Sequence, residues 1–351
     1  VEVHDAFSLL SLHIAGTSGL RGYARSVPVQ ADDRLALEYT APRALFANAG
    51  PENLERLLAL SREGEQPESV RRAIAGATAD NWCHRGRMLE RAEARGLAYD
   101  SYWRAIDRDP RHAPALDGAV RAAPGAGKTG EATARLRRLG EADPGNIPAR
   151  VALSRLLAAA GDAGEALELA RQARALAPEA AEPLDQQASL LADSGDLRAL
   201  EAVVEEMQAA QPGRAETLYF ASTARFMGGD FEGAARLAGA AAAANPRHAK
   251  AWTVTGAAQA SLGRLEEARG AFRKSISIDP TDAAAWANLA LLELNVGNAA
   301  LAGRLFAEAL TVDPRQATAL AGLAEALERQ GHADRAARVR RHPSATPGHQ
   351  R

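Results

Sequence analysis

Residues 283–316 read AAAWANLALLELNVGNAALAGRLFAEALTVDPRQ. Two segments rich in Ala, Leu and Glu flank Gly297, and Asp313-Pro314 closes the stretch. Glycine ends a helix because it enters left-handed backbone at no steric cost, and proline stops one because it lacks an N–H. The stretch therefore predicts a helical hairpin. The same punctuation recurs outward from it. Pro110, Pro144, Pro178, Pro212, Pro246, Pro280 and Pro314 lie 34 residues apart. Gly127, Gly161, Gly195, Gly229, Gly263, Gly297 and Gly331 keep the same period, offset by 17. Two helix breakers alternating within one period predict an all-α fold, a solenoid of about eight hairpins over residues 79–341.

The repeats run as 79–112, 113–146, 147–180, 181–214, 215–248, 249–282, 283–316 and an incomplete 317–341. Position 4 is large (Leu116, Leu184, Leu218, Trp252, Trp286, Leu320) and fills the space between paired helices. Positions 8 and 20 are small, as in Gly256 with Ala268 and Ala290 with Ala302, so the helices can touch. Asp-Pro at positions 31 and 32 turns the chain into the next repeat. Three departures predict irregularities. Gly96 places an early break in 79–112 and shortens its second helix, Pro124 ends the first helix of 113–146 early, and Leu200 loosens the hairpin of 181–214. Arg335, Arg338, Arg340 and Arg341 give the last helix a polar, capping character, and residues 342–351 have the composition of a disordered tail.

Trp286, Leu289, Ala290, Gly297, Ala302, Phe306, Ala309 and Pro314 resemble the tetratricopeptide repeat pattern, as do Trp252, Gly256, Gly263, Ala268, Phe272 and Pro280. That resemblance implies that the solenoid is right-handed and is a scaffold that holds a protein or peptide on a concave face lined by the first helix of each hairpin, at positions 2, 5, 9 and 12. In 215–248 these are Glu216, Tyr219, Thr223 and Phe226. The next repeats supply Lys250, Thr253, Ala257 and Ala260, then Ala284, Ala287, Leu291 and Leu294. Two aromatics and two leucines on such a face suit a helix or an extended peptide, with helix packing as the competing explanation. The Lys/Asn set that clamps a carboxylate in chaperone-binding members is absent, its positions holding Asp117, Arg121, Ala152, Glu182 and Gln186.

Residues 1–50 do not share the period. Asp5 can cap a helix to Ile14, and Leu35–Tyr39 alternates as a strand, so a small α/β remnant is expected. Val29–Arg43 (VQADDRLALEYTAPR) resembles the segment closing the synthase-like domain of bacterial, membrane-fused spermidine synthase-like proteins, with Gln30-Ala31 and Leu35 as departures. The resemblance implies a C-terminal remnant of that domain over 1–50, a helical junction over 51–78, and catalysis belonging to an upstream domain. The glycine-rich nucleotide loop and the acidic catalytic residues of that family do not appear in the sequence. Asp32 and Asp33 read as a turn or cap before the strand, since adjacent residues on extended chain point to opposite faces. The chain is expected to be the C-terminal piece of something longer.

Composition narrows the function classes. The 42 basic and 44 acidic residues balance, so no global field attracts nucleic acid or an anionic membrane. The single cysteine, Cys83, excludes an internal disulfide and fits a reducing compartment. No apolar run reaches membrane-span length, and Phe7–Ile14 lacks a basic region before it, so the expected location is cytoplasmic, with any membrane tether lying upstream. Ala122–Thr129 (AAPGAGKT) fits a relaxed phosphate-binding loop, but it follows a repeat helix rather than a strand and is expected to bind no nucleotide. Cys83-His84 lacks a second pair at zinc spacing, and the patch Arg135, Arg137 and Arg138 reads as a solvated helix face. No catalytic residue, metal or cofactor is expected.

Overall fold

The computed structural model describes residues 68–341, with side chains from Thr78 onward. The expectations for the synthase-like remnant, the first part of the junction and the tail at 342–351 lie outside the described residues. Among the described residues every element is a helix, and sixteen of them form eight hairpins. A first unit, ending at Ala177, holds α1 (Glu68–Arg91), α2 (Arg95–Arg108), α3 (Ala113–Gly125), α4 (Thr129–Ala142), α5 (Ile147–Ala160) and α6 (Ala163–Leu176). A second, starting at Pro178, holds α7 (Ala181–Ser194), α8 (Leu197–Ala210), α9 (Ala215–Met227), α10 (Phe231–Ala244), α11 (Ala249–Ser261) and α12 (Leu265–Ile278), followed by α13 (Ala283–Asn295), α14 (Ala299–Val312), α15 (Ala317–Arg329) and α16 (Ala333–Arg340).

Each turn inside a hairpin is built the same way. All seven ladder glycines have positive φ, from 67° at Gly127 to 96° at Gly161. The N–H of the following residue reaches back five positions, as Lys128 N–H to the Ala123 carbonyl and Asn298 N–H to the Glu293 carbonyl, closing the helix end. Five of the seven turns between hairpins share one side-chain bond, the exceptions being those at Ala177 and Gln211. Asp or Asn at position 31 accepts the N–H two residues on, across the proline: Asp109 from Arg111, Asp143 from Gly145, Asn245 from Arg247, Asp279 from Thr281 and Asp313 from Arg315. The position-4 tryptophans fasten these turns, since Trp252 and Trp286 Nε1–H donate to the carbonyls of Pro246 and Pro280. A further column, position 34, caps the next first helix. His112, Asn146, His248 and Asp282 each accept the N–H of the residue three positions on.

The aromatic at position 24 locks hairpins together. A Cβ on Gly86 or Gly118 would run into the Tyr102 ring, one on Gly256 into Phe272, and one on Gly322 into Phe306. Glycine is therefore found where a neighbouring helix lies directly on the ring, within the hairpin at Gly86 and Gly256 and from the following hairpin at Gly118 and Gly322. The hairpins carrying Val120 and Leu200 at the small positions are the two whose paired helices approach least closely, in keeping with the expectation for Leu200.

Two other expectations need correction. The first break falls at Glu93, not Gly96, and α2 has the same 14 residues as the other second helices. Gly96 lies inside α2. Glu93 stands 34 residues before Gly127 and has φ 58°, the single positive value outside glycine among the described residues. The period thus imposes left-handed backbone even where glycine is missing. Glu93→Gly should raise stability by about 1 kcal/mol by relieving that strain, read as a higher unfolding temperature; a fall would contradict the assignment. Nor does Pro124 end α3 early: it sits in the last turn, and α3 has 13 residues like α9, α11, α13 and α15. The helical junction expected over 51–78 is also not separate from the first repeat, since α1 starts at Glu68 and runs without a break to Arg91, 24 residues in all.

Candidate functional site

Successive first helices touch one another, as α7 with α9, α9 with α11, α11 with α13 and α13 with α15, whereas successive second helices lie farther apart. Within the second unit the first helices therefore occupy the tighter, inner side of the stack. Tyr219, Thr223 and Phe226 on α9 remain half-buried there, with Ala257 and Ala260 on α11 and Leu291 on α13, while Lys250 and Ala284 are exposed.

Both aromatics rest on other rings. Tyr219 lies against Phe220 and His248, with centroids 4.8 and 4.9 Å away, and Phe226 against Phe231 at 5.4 Å. Burial pushes the Tyr219 phenol up to about 12, so it stays neutral and able to donate. Burial also holds His248 below the usual histidine value, leaving an uncharged ring beside Tyr219 whose Nδ1 accepts from Ala251 N–H. Thr223 donates to the Tyr219 carbonyl at 3.0 Å, and Thr253 shares a 2.8 Å hydrogen bond with Ser275. Ala287 and Leu294, by contrast, are 2% and 1% exposed and sit in the cluster around Phe306, where they offer nothing to a partner.

One end of the face carries a charge constellation that sequence reading missed. Arg214, in the turn before α9, grips Asp185 of α7 through two hydrogen bonds of 2.7 and 2.5 Å, and its Nε lies 3.4 Å from Glu216. With Glu182 exposed on the same helix as Asp185, this end is acidic while Lys250 adds a cation further along. In the first unit the corresponding face is charged and internally paired. Arg121 holds Glu90, which also accepts from Tyr102, and Arg155 holds Asp117.

The remaining motifs have structural roles. Lys128 follows a helix rather than a strand, pairs with Asp100 at 2.6 Å and lies over the Tyr99 ring. Lys128→Ala should leave nucleotide titrations flat, as they are expected to be for the unaltered chain; saturable ATP binding lost in the variant would contradict this. Cys83 is buried, with its thiol pushed up by desolvation, while His84 is exposed, so the two do not converge. Arg135 stacks on Trp103 at 3.9 Å and Arg137 pairs with Glu165 at 2.9 Å. Among the described residues no group of three metal-binding side chains gathers, and no helix is long and apolar enough to cross a membrane.

Family models for the tetratricopeptide repeat match residues 221–283 and 271–303. Residues 221–303 carry tetratricopeptide repeats. The eight hairpins extend the same fold over the described chain, an all-α tetratricopeptide-repeat solenoid. The structure of the APC/C hetero-tetramer Cut9–Hcn1 is similar at 17% identity and TM-score 0.55, over 92% of this chain and 60% of that one. Yeast Tom70 matches at 17% identity and TM-score 0.51, over 86% of this chain and 61% of that one. A tetratricopeptide repeat protein from Parabacteroides merdae matches at 14% identity and TM-score 0.53, over 71% and 98%. The chain thus spans about three fifths of the matched chains in the Cut9–Hcn1 and Tom70 structures. No curated protein matches in sequence.

Proposed function

We propose that this chain is a non-catalytic scaffold whose tetratricopeptide repeats hold a protein segment on the inner face of α9, α11 and α13. The observation carrying this reading is the pair Tyr219 and Phe226, each half-exposed yet braced by a second ring. Such aromatics offer apolar contact at little entropic cost, because neighbouring rings already hold them in place. Leu291 extends the apolar strip, and Lys250 on the middle helix α11, with the acidic group around Arg214 at one end, supplies polar contacts that fix orientation. The Cut9–Hcn1 hetero-tetramer contains a chain of similar fold within a hetero-assembly, which supports this reading.

Lys250→Glu combined with Leu291→Ala should weaken capture of the partner roughly tenfold or more, as expected for removing central contacts, with helicity unchanged. Both side chains reach the surface, so the fold tolerates the change. Unaltered capture would sink the assignment. A second reading rests on the Val29–Arg43 segment: the repeats would serve as the recruitment or regulatory arm of an aminopropyltransferase-like parent, possessing no chemistry themselves. Aminopropyl transfer catalysed by this chain alone would refute both readings.

A further inference from the structure

On the outer side, where second helices splay apart, α14 and α16 flank a groove over α15 with a cavity volume of about 550 Å³. Leu323, Leu327 and Val339 form its apolar floor, and α14 contributes only small residues apart from Arg304. Arg304, Arg335 and Arg338 stand around it, all exposed and none in an ion pair among the described residues. Of the nearby carboxylates, Glu325 is committed to Arg329 and Glu328 to Arg340, while Glu308 on α14 and Asp334 on α16 are exposed and in no ion pair with these arginines among the described residues. One repeat earlier the positions of Arg304, Arg335 and Arg338 hold Gly270, Leu301 and Arg304, so the triple charge belongs to this groove and not to the repeat in general.

We infer that this groove is a second docking site, which takes an acidic amphipathic peptide segment of a partner protein. The apolar floor accepts one or two Leu-like side chains, and three unpaired guanidiniums around it call for carboxylates one helical turn apart. Exposed guanidiniums steer and orient such a segment, so its binding weakens as salt screens them. The chain's own residues 342–351 contain no Asp or Glu and cannot supply this complement. The site is separate from the inner face, and its test separates the two.

The experiment pans a displayed library of randomised 12-residue helical peptides against the full chain. The expected result is enrichment of sequences interleaving Asp/Glu with Leu, Ile or Phe. Their affinity should fall at least tenfold on Arg335→Glu with Arg338→Glu, and equally on Ala307→Trp, which fills the groove without altering charge. It should fall with added salt and be untouched by Lys250→Glu with Leu291→Ala. Circular dichroism melts check that the variants fold. Failure to enrich acidic peptides, enrichment of neutral or basic ones, or binding that survives either groove variant overturns the proposal. So does sedimentation showing that a second copy of the chain fills the groove. Loss only with the inner-face variant would assign the peptides to the inner face and likewise overturn it.

Discussion

Phe306→Ala is expected to lower unfolding stability by about 3–5 kcal/mol, the range for emptying a large aromatic site in a packed core. Phe306 is fully buried, and its cluster consists mostly of alanines: Ala287, Ala290, Ala302, Ala309, Ala319 and Ala326. These side chains are too short to collapse into the space, which places the loss toward the upper part of the range. Gly322 gives the prediction a second arm. A Cβ there overlaps the Phe306 ring, so Gly322→Leu is destabilising alone but should recover part of the loss when combined with Phe306→Ala. Urea denaturation followed by circular dichroism reads both. A loss below about 1 kcal/mol, or no coupling between the two sites, would mean that this ring does not tie adjacent hairpins together.

Glu293→Ala should cost roughly 2–4 kcal/mol, because it strands partners of a buried carboxylate. Glu293 is 1% exposed, receives Arg269 Nε–H at 2.5 Å and Asn298 Nδ2–H at 2.7 Å, and so joins α12, α13 and the turn before α14. Arg269 keeps a second partner in Glu266, which limits the loss. The hydrogen bond from Arg269 holds the Glu293 carboxyl below the usual carboxylate range. A carboxylate depressed in the folded state stabilises fully above its unfolded pKa, near 4.3, and loses that contribution as pH falls through the folded value. Unfolding temperature should therefore drop on acidification below about pH 4.3, and drop less in Glu293→Gln, which is already uncharged. Identical pH profiles would contradict this account of the Glu293 environment.

Most of the fold was legible because its punctuation is covalent: proline lacks a donor and glycine lacks a Cβ, whatever surrounds them. Misreadings arose where another residue type took over the role. Glu93 carries no intrinsic left-handed preference, so only its place 34 residues before Gly127 marks the turn, and Gly96 drew the break away from it. Pro124 looked like a terminator because a proline in the final turn and one beyond it are the same letter. The capping column escaped notice because His112, Asn146, His248 and Asp282 share an acceptor atom but no chemical family.

The candidate face was legible by position and less so by exposure. Tyr219 and Phe226 keep accessible surface, while Ala287 and Leu294, on the same registers two repeats on, are drawn into the Phe306 cluster. Register alone does not tell these apart, since the outcome depends on what α14 and α15 place behind α13. The Arg214–Asp185 and Arg269–Glu293 pairs were equally hidden, as neither keeps the period of the repeat.

The most direct test of the inner-face assignment is site-specific photo-crosslinking. A benzophenone amino acid replaces Lys250, exposed at the centre of that face, or Arg236, exposed on the second helix α10. The assignment predicts partner adducts from position 250 and none from position 236. Adducts from position 236 with none from position 250 would contradict it.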